Sequence, residues 1–255
     1  MKVSFASSFI DRGDILLYSL SLFVTPVIVL AVWLVINTQG TNTLMSYKEL
    51  VIYFLANVLV KAATSSWIGQ FIPGRIRRGE ISGLLLKPMP FLLDWSANNM
   101  SEKIIKLLFL FPAVLITGFW LSVGIPSLEI GQWILVIVTT VAAGIIYFLM
   151  DVIIGLLAFW LEETRSFQDL FLVFESFFSG RIMPLVALPI FWKNVAFFLP
   201  FRYMLSLPLE ILLKQLSSSQ IYKALVVQSG YLIAMILIYK LIFNRGIRRY
   251  SASGA

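Results

Sequence analysis

The chain has 255 residues, of which 59% are hydrophobic and only 13% charged, and its mean hydropathy is +0.90. Soluble domains carry about 25% charged residues, so the bilayer has to serve as solvent for most of this one. Cysteine and histidine are both absent, which removes disulfides, thiol nucleophiles, imidazole bases and the common zinc ligands. The net charge of +7 reads by position, as membrane topology, and not as a nucleic-acid surface.

From the amino terminus, residues 1–14 alternate Val3, Phe5, Phe9 and Ile10 with serines and with Asp11, Arg12 and Asp14. Two readings stand: an amphipathic helix lying along the inner membrane surface, or a polar start to the first span. Ile15 to Ile36 is the first expected crossing, since about 20 apolar residues traverse a hydrocarbon core of roughly 30 Å. Its apolar stretch is too long for a cleavable signal peptide, and no small-x-small site follows it. Glu49 to Gly69 is the second crossing.

Arg75 to Lys103 comes next and looks built to face water. It opens with Arg75, Arg77 and Arg78, carries Glu80 and the run Leu84, Leu85, Leu86, and contains Pro88 and Pro90. Prolines at that spacing forbid one uninterrupted helix. The segment is expected to dock a partner, although the arginines also satisfy the positive-inside rule.

Lys106 to Val123 is the third expected span and Trp133 to Trp160 the fourth, with Asp151 inside it. Phe167 to Leu188 is the fifth, interrupted by Glu175, Gly180, Arg181 and Pro184. Pro189 to Lys223 holds apolar runs too short to span, divided by Pro189, Pro200 and Pro208. Re-entrant or interfacial helices on the outer side fit it better than a loop. SSSQ near Ser217 reads as a turn, and Ala224 to Phe243 is the sixth span. The chain is therefore expected to form one all-α integral membrane domain, residues 1–255, with six crossings. Lys and Arg placement favours both termini inside the cell. The inner segments hold Lys2, Arg12, the loop arginines, Lys87, Lys103, Arg165, Arg245, Arg248 and Arg249.

Ionisable residues within spans cost several kcal/mol unless paired or hydrated, roughly 3 kcal/mol for a charge at mid-depth. Lys61, Asp151 and Glu175 are the intramembrane set. They read either as a proton or ion relay, or as interhelical salt bridges and snorkelling side chains. Arg181 meets either an anionic group or Glu175. Glu162, Glu163 and Arg165 form an inner turn open to solvent or to a partner.

Motifs for catalysis are missing. There is no GxxxxGK[ST] phosphate loop, no HExxH and no GxSxG elbow. Asp94 and Glu102 share the inner loop in this reading, with nothing to make them a catalytic pair. The residues alone describe a polytopic, non-catalytic subunit with a docking loop. An ion-coupled secondary transporter and a membrane scaffold stay open beside it.

Three ordered stretches add a resemblance. GEISGLLLKPMPFLL from Gly79, SGRIMPLVALPIFWKNVAFFLPFRYMLSLPLEI from Ser179, and the tail RGIRRYSASGA from Arg245 together resemble the membrane subunit of a type-2 ABC exporter. They are similar in particular to the short bacterial six-span permeases encoded beside a separate ATPase. The resemblance implies a permease paired with a second one, identical or paralogous, over two ATPase subunits that bind ATP and Mg. This chain would carry no cofactor of its own and would sit in the cell (inner) membrane. The resemblance also implies that Arg75, Arg77, Arg78, Glu80 and Leu84 to Leu86 couple to the ATPase, the leucines packing into its groove. Gly180, Arg181, Pro184, Pro189 and Pro200 become an outer gate. The cargo it implies is amphiphilic, lipid-linked, peptide or drug-like.

Overall fold

The computed structural model describes residues 12–39, 45–85 and 91–250 of the chain. All regular elements among them are helical. They are α1 (Arg12–Gln39), α2 (Tyr47–Thr64), α3 (Ile72–Arg77), α4 (Ile81–Leu85), α5 (Phe91–Trp120), α6 (Ile130–Leu156), α7 (Arg165–Phe178), α8 (Ile190–Phe198), α9 (Ser206–Leu212) and α10 (Ser218–Arg249), with short 3-10 turns between several of them.

Local chemistry starts several of these helices. Ser46 caps α2: its hydroxyl accepts the Glu49 N–H, and the Glu49 carboxylate accepts the Ser46 N–H at 2.7 Å. Ser217 and Gln220 make the same reciprocal box at the start of α10, the Ser217 N–H donating at 2.8 Å. The SSSQ turn therefore begins the last long helix at Ser218, six residues before the expected Ala224, and the helix runs on to Arg249.

Among the described residues, three helices are long and apolar enough to cross a membrane: α5, α6 with its 3-10 extension to Phe159, and α10. The α2 helix becomes a fourth when taken with the segment Ile68–Arg77, which bends away from it by 44°. The second crossing thus breaks at Thr64, before the expected Gly69. The expected third span also starts early, because α5 runs unbroken from Phe91. Residues 91–103 are therefore helix and not loop. Lys103 and Glu102 are buried on that helix and do not belong to an exposed inner segment.

The largest departure concerns the expected fifth span. The α7 helix has 14 residues, about 21 Å of rise, and stops at Phe178. Gly180 then takes φ +85°, a conformation L side chains avoid, and Pro184 denies the next turn a donor. The expected outer segment becomes α8, a 3-10 turn at Pro200–Met204 and α9. Every residue of α9 is buried.

Packing makes α6 the central element, with 44% of its most apolar stretch buried against 22% for α5 and 17% for α10. One core gathers Ile146, Val152 and Leu156 of α6 with Ile72, Met204 and Leu207. A second joins Val51, Tyr53 and Phe54 of α2 to Leu30 of α1 and Leu110 of α5. The outward faces stay apolar, with Leu108, Phe111 and Phe119 of α5 and Ile233 and Leu237 of α10 exposed, as helices require when lipid is the solvent.

The termini of α4, α6 and α10 meet at one end of the bundle. The Ser82 hydroxyl donates to the Tyr250 hydroxyl at 3.3 Å, and the Phe159 and Tyr250 rings lie 6.1 Å apart. Arg75, Arg77, Arg78, Arg165, Arg248 and Arg249 flank these contacts in sequence, so this is the basic end. The expected interfacial helix falls mostly on residues 1–11, outside the described residues, and Arg12 to Asp14 belong to α1. Leu86, Pro88, Pro90 and the tail from Ser251 also lie outside them, as do the side chains of Leu84 and Leu85.

Candidate functional site

Two helix breaks, one in each half of the chain, organise the polar interior. At the first, α2 ends at Thr64 and a 3-10 turn begins at Ile68. Asp151 of α6 closes this gap. Its carboxylate accepts the Ser66 hydroxyl at 2.6 Å and the Gly69 N–H at 2.9 Å, replacing bonds that the broken helix lost. Gly69 and Gly155 let the chains approach this closely: a Cβ on Gly155 would stand 2.6 Å from the Gly69 carbonyl oxygen.

At the second break, the freed carbonyls of Gly180 to Ile182 accept side-chain hydrogen bonds from α1 and α2. Tyr53 donates to the Gly180 carbonyl at 2.6 Å, Asn57 to Gly180 and Arg181 at 3.3 and 3.4 Å, and Trp33 to Ile182 at 3.1 Å. Unsatisfied backbone at membrane depth is tolerated only with such partners.

An ion cluster links the two breaks. Lys61, in the last turn of α2, lies 2.8 Å from Glu175, in the last turn of α7. Arg181 approaches the other Glu175 oxygen at 3.6 Å, Tyr147 accepts from Lys61 at 3.3 Å, and the Ser179 hydroxyl donates to Glu175 at 3.2 Å. The structure thus places Lys61, Glu175 and Arg181 together, with Asp151 apart at the first break.

Beside this cluster lies a cavity of about 620 Å³. Lys61, Ser65, Tyr147, Asp151 and Arg181 line it, together with Arg77, Glu163, Arg165 and Asp169 toward the basic end. A second cavity of about 320 Å³ is lined by Tyr53, Lys193, Ser206 and Glu210. Behind it, Arg202 forks onto Glu210 with bonds of 3.0 and 2.5 Å and sits 3.9 Å over the Phe197 ring. Among the described residues no acid or histidine cluster could hold a metal ion.

At the basic end the expected docking residues divide. Arg75 and Arg77 close α3, Arg78 and Glu80 form the turn that follows, and Leu84 and Leu85 end α4. Arg78 donates to Glu80 at 2.5 Å, and Arg75 lies 3.9 Å from Glu80 while stacking 4.4 Å over the Trp95 ring. Arg77 donates back to the Pro73 carbonyl at 3.4 Å. Hydrogen bonding from Arg78 holds the exposed Glu80 carboxyl below its ordinary range. Glu163 turns in to accept the Arg165 N–H at 2.8 Å, opening α7. Pro184, Pro189 and Pro200 head the 3-10 turn Leu185–Ala187, α8 and the turn at Pro200–Met204.

Several partners are not singled out by sequence reasoning: Tyr53, Asn57, Ser66, Tyr147, Arg202 and Glu210. The buried Glu102–Lys106 pair of α5 has a readable i,i+4 spacing. The others depend on residues far apart in the chain.

A helical bundle with lipid-facing walls, two stitched helix breaks and a partly polar cavity defines a polytopic membrane protein. The profile of the family described as ABC-2 family transporter protein matches residues 23–254, and the chain belongs to that family. It is accordingly the membrane-embedded permease type of subunit of an ABC transporter, a family that implies an ATPase partner in general. No curated protein and no solved structure matches the chain.

Proposed function

We propose that the chain is the permease of an ATP-driven exporter, and that its ATPase docks on the turn joining α3 to α4. The observation that carries this reading is the fixing of that turn. Arg78 and Glu80 stand exposed beside Arg75 and Arg77, while the segment leading to them is tied to α6 through Gly69 and Asp151. A mixed-charge rim on a rigidly held element suits both steering and grip. Force applied at the turn would reach the central helix directly. Leu84 to Leu86 supply the apolar anchor, and the Glu162 to Arg165 turn a lesser contact.

In this reading the chain crosses the inner membrane six times. The α6 and α10 helices end at the same, basic end, so residues between them make one net return crossing. We assign it to α7 followed by the broken stretch Ser179–Leu188. The basic end and both termini are cytoplasmic. The segment from Pro189 to Leu213 is then a re-entrant lid on the outer side, with Gly180, Arg181, Pro184, Pro189 and Pro200 as its hinge and gate. A second permease, identical or paralogous, completes the pathway, and two ATPase subunits supply ATP and Mg. The cargo is amphiphilic, in keeping with a cavity whose walls are part polar and part apolar.

The test is affinity purification of the tagged chain from its native membranes, with bound ATPase measured by ATP hydrolysis. Charge reversal at both Arg77→Glu and Glu80→Arg should abolish the association while leaving membrane insertion intact. Cargo transport by the reconstituted chain with no ATPase present would defeat the reading.

A further inference from the structure

The 620 Å³ cavity has an imbalance between donors and acceptors on its inner wall. Lys61 brings three N–H groups, one on Glu175 and one on Tyr147. Arg181 brings five, and its ion contact with Glu175 is long at 3.6 Å. The Ser65 side chain is buried, and its hydroxyl has no hydrogen-bond partner among the described residues. Acceptors are scarcer. Asp151 lines the cavity, with one of its oxygens already taking Ser66 and Gly69, and Glu175 is fully buried and does not line it.

A cation entering beside Lys61 and Arg181 would face two positive charges, with Asp151 already accepting two bonds through one oxygen. An anion would find the Lys61 ammonium and the Arg181 guanidinium, both held at Glu175, on the wall of one cavity that Ser65 also lines. Glu163 and Asp169 line the cavity together with Arg77 and Arg165, so both signs are present on that part and it does not select for charge. Apolar residues, Leu22, Phe71 and Leu172 among them, line the same cavity. The ligand that satisfies both kinds of lining carries one acidic group on an apolar body.

We propose that this cavity binds the acidic group, phosphate or carboxylate, of an amphiphile, with Lys61, Arg181 and Ser65 as its donors. The proposal rests on the permease reading for the membrane setting, and it narrows the amphiphilic cargo to an anionic one. Ligand binding also has a structural consequence. An anion accepting from Lys61 and Arg181 competes with Glu175 for both, and so loosens the link between α2 and α7.

The experiment is native mass spectrometry of the purified full chain, titrated with phosphatidylglycerol and phosphatidylcholine of identical acyl chains. Charge-assisted hydrogen bonds of this kind correspond to about tenfold in affinity, so phosphatidylglycerol should be retained about tenfold better. Arg181→Gln should remove most of that preference, and Ser65→Ala should lower it a few-fold on the same scale. Lys193→Gln in the other cavity and Arg248→Gln at the basic end should leave it. If Arg181→Gln fails to fold, Arg181→Lys and Ser65→Ala carry the test: the first should keep the preference and the second reduce it. Inorganic phosphate separates the possible sources. Displacement of the lipid by millimolar phosphate would assign the site to a soluble anion, and its failure to displace would assign it to a lipid headgroup. Equal retention of the two lipids, or a preference that survives Arg181→Gln and Ser65→Ala, would overturn the proposal. The ATPase plays no part in this measurement, so its failure would leave the docking reading standing.

Discussion

Lys61 and Glu175 meet at 2.8 Å, which joins the last turn of α2 to the last turn of α7, each immediately before a helix break. Both side chains are buried, so the pair is a structural fastener whose members depend on each other. Removing one member of a buried pair strands a charge, at a cost of about 3–5 kcal/mol, whereas replacing both by apolar groups is often close to neutral. We expect Glu175→Leu to lower the thermal midpoint of the detergent-purified protein severely, because it leaves both Lys61 and Arg181 unpaired. Lys61→Met should cost less, since Arg181 still faces Glu175 at 3.6 Å. Lys61→Met combined with Glu175→Leu should recover much of the loss. A double variant no better than Glu175→Leu alone would contradict the pairing.

The close approach of Gly69 to Gly155 predicts a strong contrast among glycine substitutions. A methyl at Gly155 would meet the Gly69 oxygen at 2.6 Å and its Cα at 3.0 Å. Overpacking of this kind costs about 1–3 kcal/mol. Gly155→Ala should therefore destabilise the protein, and it should weaken ATPase coupling by shifting α3 relative to α6. Gly230 in α10 faces open space, and Gly230→Ala should be neutral or stabilising by up to about 1 kcal/mol from helix propensity alone. Thermal unfolding followed by tryptophan fluorescence distinguishes the two.

At the second break, Gly180 combines φ +85° with a Cβ position crowded by the Tyr53 hydroxyl and by Ser206 at 3.2 Å. Gly180→Ala suffers twice, from strain and from overlap, and we expect it to lose transport and most of the folded yield. Tyr53→Phe is the milder companion. It leaves the Gly180 carbonyl with Asn57 alone at 3.3 Å, a loss of about 1 kcal/mol. If both variants behaved alike, crowding at Gly180 would not be the cause.

The exposed Arg78–Glu80 pair predicts how ATPase association should respond to salt and acid. Surface charges are screened within about 8 Å at physiological ionic strength, so association should weaken as salt rises and less steeply in Arg78→Gln. The pH response follows from the depressed Glu80 carboxyl. A carboxyl lowered in the folded state contributes above its unfolded pKa, and that contribution is lost only as pH falls through the lowered value. The Glu80 contribution should therefore stay flat between about pH 5 and 8. A pull-down titrated over that range checks it; a fall centred near neutrality would point to a different group.

How much of this was legible varied with the range of the interactions involved. The crossings at α2, α5, α6 and α10 are readable because apolar length is a local property. The break at Gly180 and Pro184 is local too, since those residues restrict their own backbone. Composition alone marks Phe167 to Leu188 as one apolar stretch, without registering that the helix ends at Phe178. The loop from Arg75 to Lys103 was read too long for the opposite reason. Asn98, Asn99, Glu102 and Lys103 look solvated in sequence, but Asn99, Glu102 and Lys103 are buried on α5. Asn57 and Tyr53 carried no signal at all. Their role is to satisfy carbonyls more than 120 residues away, and no local pattern encodes that partner.

By itself the sequence determined the solvent, the helical class and the approximate place of most long helices, because hydrophobic length and proline act within a few residues. Tertiary structure decided which charges are tied and which face the cavity. Lys61, Asp151 and Glu175 look alike as isolated intramembrane charges, yet Asp151 holds a helix break while Lys61 and Glu175 lock two helices together. Only distance in space separates those roles, since the energy of a buried charge depends on the partners that surround it.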